Sequence, residues 1–176
     1  MRIDAPFKVI GDIGATLTGA FASLLTPEDW RLYDYRKPQG NMSDCASIVL
    51  RHSSEYSTAT IRDMPLKDKY MPALQPVLDH LRGFYAFGEY VAFLAELCPK
   101  GVIGDHTDSG EFLDRIHRVH IPIITNPLCM YRVEGAPAVN MQVGTMYEID
   151  NMRVHGVMNG GEEARVHLVV NLYPTV

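Results

Sequence analysis

From about residue 88 onward, a short strand-like run recurs about every ten residues. The runs fall at Tyr90 to Leu97, Val102 to Asp108, Arg118 to Thr125, Met130 to Val133, Ala138 to Val143, Met146 to Ile149, Arg153 to Met158 and Arg165 to Leu172. Turn-forming residues separate them, among them Pro99-Lys100-Gly101, Asn126-Pro127, Glu134-Gly135 and Asn159-Gly160-Gly161. Eight short strands with regular turns predict a sandwich or barrel. The eight-stranded arrangement that keeps a cavity between two sheets is the jelly roll.

The first half mixes strand and helix signals. Phe7 to Ile10 reads as a short strand and Ala15 to Leu25 as a helix. Thr26 followed by Pro27, Glu28 and Asp29 is a helix start, with a capping hydroxyl, proline at the first position and acids against the positive end of the dipole. The short helix it opens runs over Trp30 to Tyr35. Ser47 to Arg51 and Thr58 to Arg62 read as strands. From near Met71 to Tyr85, Leu74, Val77, Leu78, Leu81, Phe84 and Tyr85 recur at helical spacing, which predicts a helix laid on a sheet. Pro72 and Pro76 put its start near the second proline or make its first turn irregular. The expected fold is mainly β with a few helices, a jelly-roll barrel flanked by N-terminal helices. It is expected as a single domain over 1–176, with 1–86 supporting a β core over 88–173.

Composition adjusts this picture only slightly. A chain of 176 residues buries about 70% of its unfolded surface, so a core needs no staples. The formal net charge of -5 argues against nucleic acid as the main partner, because phosphate binding calls for excess Lys and Arg. Cys45, Cys98 and Cys129 are odd in number and far apart, which fits buried free thiols better than a disulfide scaffold or zinc knuckle. The N-terminal apolar run is too short for a signal core or a membrane span, so no membrane partner is expected and the cytoplasm is the default location. Without a secretory signal the sequon at Asn41 carries no weight. Gly11 to Gly14 before a helix faintly suggests a nucleotide-binding turn, but the G-x-G-x-x-G spacing is absent.

Candidate chemistry begins at His106-Thr107-Asp108. Side chains at i and i+2 of a strand share a face, so both can reach one point inside a barrel. His155, expected near the other side of the cavity, supplies a third ligand. Two histidines and a carboxylate form the facial triad of non-haem ferrous oxygenases, which leaves coordination positions open for a 2-oxo acid and dioxygen. Alone, His-x-Asp is a weak signal, and a solvated turn pair is the default reading. Arg165 strengthens it. This residue follows His155 across the Asn159-Gly160-Gly161 turn, as if on an adjacent antiparallel strand, where it can hold a carboxylate with two prongs. Arg118 and His120 form a second i, i+2 pair. Buried in apolar strands, such groups need partners, and a dianionic ligand is one. The alternative places both arginines on the outer face or in pairs with acids.

Taken together, these stretches resemble the aspartyl/asparaginyl β-hydroxylase family, which also includes free-proline hydroxylases. The resemblance is carried by Phe93 to Asp108, Arg118 to Asn126, Gly144 to Asn151, His155 to Asn159 and Arg165 to Val170, with a weaker echo around Trp30 to Arg51. It implies a double-stranded β-helix, Fe(II) and 2-oxoglutarate. It makes His106 and His155 iron-binding histidines, gives Arg165 the distal carboxylate of 2-oxoglutarate, and puts Arg118 and His120 near the end that chelates the metal. Some vertebrate members have Gly in place of the carboxylate ligand. Asp108 is present here, as in the bacterial amino-acid hydroxylases.

The expected reaction is hydroxylation of an unactivated C–H bond in an amino acid, free or within a peptide or protein, with O2 as oxidant and succinate and carbon dioxide as by-products. No side-chain acid or base is needed beyond the metal ligands. Two other readings stay open: a cupin-like metal-dependent isomerase or hydrolase, and a non-catalytic barrel that binds a small ligand or a partner. Among the remaining residues, His167 shares parity with Arg165 and reads as a core histidine or part of the cavity wall. His117 is unassigned. His52 and His80 read as surface, and Met141, Met146, Met152 and Met158 as core filler. Arg51 and Arg62 read as solvated, and the N-terminal half as the supplier of a pocket wall.

Overall fold

The computed structural model describes residues 3–32, 43–54, 57–108 and 112–175. Ten strands and three helices follow in the order β1 (Phe7–Asp12), α1 (Gly14–Leu24), α2 (Pro27–Arg31), β2 (Cys45–Ser53), β3 (Ile61–Asp63), α3 (Lys67–Arg82), β4 (Phe87–Leu97), β5 (Val102–His106), β6 (His117–Ile124), β7 (Cys129–Val133), β8 (Thr145–Ile149), β9 (His155–Asn159) and β10 (Arg165–Pro174). They build a seven-stranded sheet in the order β1-β8-β6-β10-β4-β2-β3 and a three-stranded sheet in the order β5-β9-β7. All pairs are antiparallel. This is the jelly-roll, or double-stranded β-helix, arrangement expected from the strand pattern. The large sheet takes strands from both halves of the chain.

The period of two sorts the large sheet into two faces. Ala92, Leu94, Val119, Ile121, Val166, Leu168, Val170 and Leu172 point outward and join Phe21, Tyr70, Leu74, Val77, Leu78 and Leu81 in the main core. Helices α1 and α3 therefore cover the outer face. Each fully buried Leu or Val stabilises by about 1.5–3 kcal/mol, which is why α3 tolerates its prolines. That helix starts at Lys67, earlier than the prolines suggest, and runs through Pro72 and Pro76 without a break. Both prolines are exposed, so the carbonyls they leave unbonded can be hydrated. The helix ends at Arg82, and Phe84 lies half in solvent instead of extending the apolar face.

Other boundaries shift for local reasons. The strand expected over Thr58 to Arg62 is a 3-10 turn at Thr58–Thr60 followed by β3. The Ser53 hydroxyl bonds both the Ser57 amide and the Thr60 hydroxyl, and these local bonds outcompete a ladder. Ala138 to Val143 is not a strand. Val139 makes a single bridge to Tyr131, and the Asn140 amide donates to the carbonyls of Asn126 and Cys129, so side chains pin this segment. The helix after Thr26 stops at Arg31. Its expected continuation over 33–35, like the sequon at Asn41, lies outside the described residues.

Two polar hubs lock the frame. The Asn159 amide, fully buried, donates to the carbonyls of Leu97, Cys98 and Glu163 and accepts from Asn126 and Gly161. It fixes the crossover from β9 to β10, which changes sheets. At the other end, the Thr26 capping box forms as expected. Its Asp29 carboxylate also accepts from Tyr70 Oη at 2.7 Å and Lys69 Nζ at 2.5 Å. Burial alone would raise the Asp29 pKa, but those two bonds outweigh it and hold the carboxyl below the usual range. The folded value is the depressed one. The bond network thus stabilises fully above the unfolded carboxylate pKa, and the gain is lost as pH falls through the lower folded value. Asp29→Asn should cost about 2 kcal/mol at neutral pH, and urea titrations should show the deficit shrinking as the solution is acidified.

Candidate active site

The inner face of the large sheet carries the other parity. Arg165, His167, Asn171 and Tyr173 come from β10, Arg118 and His120 from β6, and all are buried. Cross-strand register sets Asn171 opposite Arg118 and Val169 opposite His120. The small sheet faces them with His106 on β5 and His155 on β9. A cavity lies between, lined by His106, Asp108, Arg118, His120, His155 and Arg165, with Phe93, Ala95, Ile103, Tyr131, Val157 and Val169 as its apolar wall. Among the described residues this lining runs from Phe93 to Val169, and the N-terminal half contributes β2 and β3 to the large sheet, with Val49 packed in one cluster with Phe93 and Val169.

His106, Asp108 and His155 converge, each offering a ligand atom within 4.8 Å of the others. They do so by a route different from the one the sequence suggests. The two histidines do not approach from opposite sides; they are paired neighbours in one sheet, with rings 4.3 Å apart. Asp108 is not on a strand, because β5 ends at His106 after an irregularity in register. Its amide donates to the Asn151 carbonyl, which turns the side chain back toward the histidines. The Asp108 oxygens lie 3.7 Å from His106 Nε2 and 3.5 Å from His155 Nε2.

The imidazoles are set up as metal ligands. His106 Nδ1 lies 2.8 Å from the Gly104 carbonyl, and His155 Nδ1 lies 2.9 Å from the Arg153 carbonyl. A carbonyl can only accept, so each Nδ1 carries the proton and each Nε2 keeps its lone pair toward the cavity. Burial, reinforced by the Arg118 charge, holds the His155 pKa below the ordinary imidazole value and keeps the ring neutral. Tyr131 stacks parallel to His155, with an interplanar angle of 8°. Asp108 Oδ2 is buried and faces the Arg118 guanidinium. Two imidazole nitrogens and a carboxylate suit a divalent first-row metal.

Arg165 approaches from the opposite sheet. Strands β9 and β10 are not adjacent, contrary to the reading of the Asn159-Gly160-Gly161 turn, yet the sheet-changing crossover aims Arg165 at the same cavity. Its side chain is 2% exposed. Nη2 donates to His167 Nδ1 at 2.8 Å, since the guanidinium cannot accept. Burial, then the neighbouring Arg165 charge, drives the His167 pKa well down, so His167 is a neutral acceptor that orients Arg165. Arg118 forms an ion pair with Asp108, and its Nε donates to Asn171 Oδ1 at 2.9 Å.

A family model described as aspartyl/asparaginyl beta-hydroxylase matches residues 29–174. The chain belongs to this family. It is accordingly a hydroxylase of the Fe(II)- and 2-oxoglutarate-dependent oxygenase type. Solved structures share the fold at low identity. An oxidoreductase of the 2OG-Fe(II) oxygenase family from Burkholderia pseudomallei aligns with a TM-score of 0.64 and 16% identity, over 89% of this chain and 77% of its own. A prolyl-4-hydroxylase from Pseudomonas putida aligns with a TM-score of 0.61 and 13% identity, over 98% and 95%. A viral collagen prolyl hydroxylase from Paramecium bursaria Chlorella virus-1 gives 0.52 and 8%, over 96% and 97%. No curated protein matches the sequence. Among the described residues no helix is long and apolar enough to cross a membrane.

Several residues went unnoticed in the sequence. Tyr131 was legible from the alternation of Cys129, Tyr131 and Val133, which all face inward. Asn171 shares parity with Arg165, but an amide in an apolar strand announces no role. Glu148 faces outward and is buried, bonded to His117 Nδ1 at 2.5 Å and Tyr85 Oη at 2.8 Å, which settles the unassigned His117. Those bonds hold the Glu148 carboxyl low even though burial opposes it. Arg51 is not a solvated side chain, because it pairs with Asp63 at 3.1 Å and Glu89 at 2.6 Å. Arg62 is exposed, as is His80, whereas His52 is half-buried. The three cysteines are free, with Cys45 and Cys129 buried and Cys98 half-buried. Met141 and Met146 are buried, Met152 is half-buried, and Met158 is largely exposed.

Gly156 keeps the two histidines in register. A Cβ there would lie 2.6 Å from Asp105 Oδ1 and 3.0 Å from the Ile103 carbonyl, so β9 would have to move off β5. Gly156→Ala should therefore weaken Co(II) binding by at least tenfold, as measured by chelator competition, although no ligand is altered. Unchanged affinity would mean that the β5–β9 spacing does not set the site.

Proposed function

We propose that His106, Asp108 and His155 hold the Fe(II), that Arg165 takes the distal carboxylate of 2-oxoglutarate, and that Arg118 and His120 border the end of the co-substrate nearest the metal. The observation that carries this reading is the convergence of two neutral imidazoles and a carboxylate opposite a buried guanidinium in one cavity. Arg165 is already desolvated and oriented by His167, so a carboxylate reaching it gains a charge-assisted contact without reordering the side chain. The apolar wall of Phe93, Ile103, Val157 and Val169 excludes water from the reacting centre.

When bound, iron with 2-oxoglutarate and O2 supplies the C–H oxidation, and the protein supplies orientation and a dry site. The substrate is an amino acid, free or as a residue of a peptide or protein. Family membership and the buried Arg165 favour this reading over a cupin-like isomerase or hydrolase, which has no use for a guanidinium there, and over a non-catalytic barrel.

Adding Fe(II) and 2-oxoglutarate under anaerobic conditions should give a visible charge-transfer band. His155→Ala should abolish it, and Arg165→Met should raise the 2-oxoglutarate concentration it requires by about 100-fold. In air, a panel of amino acids and peptides should yield succinate together with a product heavier by one oxygen. A wild-type protein with neither band nor succinate would sink the proposal.

A further inference from the structure

We propose that Arg118, braced by Asn171, is the positioning residue for Asp108 and thereby sets the metal affinity of the site. The proposal rests on the reading of Asp108 as a metal ligand. It moves Arg118 from a service to the co-substrate alone to a service to the metal centre itself.

The three candidate ligands are oriented by different means. Each histidine is held by its own strand, through a ring Nδ1 proton given to the carbonyl two residues earlier. Among the described residues Asp108 has no such support from its own strand: it lies beyond the end of β5, and its amide donates to the Asn151 carbonyl. A short carboxylate on a coil segment can turn about both its side-chain torsions. The restraint on it comes from across the cavity, where Arg118 on the large sheet forms the ion pair with its Oδ2.

Arg118 is itself a long and flexible side chain, so it can position something only if it is positioned first. Asn171 does this. It stands directly opposite Arg118 in the β6–β10 register on the same inner face, is 4% exposed, and accepts from Arg118 Nε at 2.9 Å. With Nε tethered, the guanidinium plane is fixed, and Nη1 is presented to Asp108. The result is a line from strand β10 through β6 to the end of β5. It joins the two sheets at the point where the ligand set would otherwise be loose. Groups that orient a ligating residue typically change metal affinity by 10–100-fold when removed. A guanidinium near a divalent ion also repels it, so the sign of the effect is a real test.

Co(II), followed by its visible d–d absorption without 2-oxoglutarate, reads affinity independently of turnover. Asp108→Ala should weaken binding by about 100-fold, Arg118→Met by at least tenfold and Asn171→Leu by about tenfold. Arg118→Met combined with Asn171→Leu should be no worse than Arg118→Met alone, and neither change should add to Asp108→Ala, because the line acts through one carboxylate. Asn171→Asp, which keeps an oxygen for Arg118 Nε, should restore Co(II) affinity to within about threefold, a rescue that loss of folding would not give. The positioning role is overturned if Arg118→Met and Asn171→Leu bind Co(II) as tightly as wild type and Arg118→Met weakens only 2-oxoglutarate binding. Tighter Co(II) binding in Arg118→Met would overturn it too, as repulsion would then outweigh orientation. If Asp108→Ala itself binds Co(II) normally, the ligand assignment fails and takes this proposal with it.

Discussion

Two guanidinium groups, which cannot shed their charge, sit inside this barrel at Arg118 and Arg165. Water is the cheapest partner for such a group, and burial removes it at a cost of several kcal/mol per ion. The architecture can be read as the answer to that cost. Arg118 meets Asp108, the one carboxylate among the described residues that lines the cavity, and an amide from the neighbouring strand. Arg165 meets an imidazole kept neutral by the same burial that isolates the charge. His155 is pushed toward neutrality as well, by burial and by Arg118. The cationic character of the cavity is thus concentrated in groups that do not titrate, while the nitrogens facing inward stay available as ligands.

Holding charge inside requires an exterior that does not yield. The large sheet divides its work by parity: one face packs against α1 and α3 in a continuous apolar core, and the other bears the polar row. Separating these tasks lets the inner face carry Arg118, His120, Arg165, His167 and Asn171 without losing the hydrophobic contacts that keep the sheet together. Among the described residues the small sheet has no comparable backing, with Val102 and Met158 paired across β5 and β9 on its exposed side. Its histidines are accordingly held by backbone carbonyls, whose positions follow from the strands themselves.

Much of this was legible from residue patterns. The near-continuous apolar runs of β4, β6 and β10 marked the strands, and the i, i+2 spacing of Arg118 with His120 and of Arg165 with His167 marked the inward residues. The Thr26 cap was legible because its chemistry is local. Sheet membership was not legible. His155 and Arg165 are ten positions apart across a glycine turn, a spacing that fits a hairpin, yet the Asn159 hub directs the chain into the other sheet. Ala138 to Val143 carried strand-like alternation but makes a single bridge, not a ladder, and the Asn140 side chain meets the nearby carbonyls. Each miss involves a side-chain amide or hydroxyl bonding to backbone distant in sequence or in competition with a ladder, and periodicity has no access to either.

The site itself shows the same division between pattern and placement. The motif His106-Thr107-Asp108 pointed to one ligand cluster on the argument that i and i+2 share a strand face. The cluster forms although Asp108 has left the strand. The contacts of the carboxylate are long-range, to the Asn151 carbonyl through its backbone and to Arg118 through its side chain. A strand would have fixed both ligands in one rigid geometry. A carboxylate beyond the strand end, steered by a charge from the opposite sheet, ties the geometry of the ligand set to the separation of the two sheets. The cavity between those sheets is also where the co-substrate is proposed to bind, so metal coordination and cavity shape depend on one structural variable.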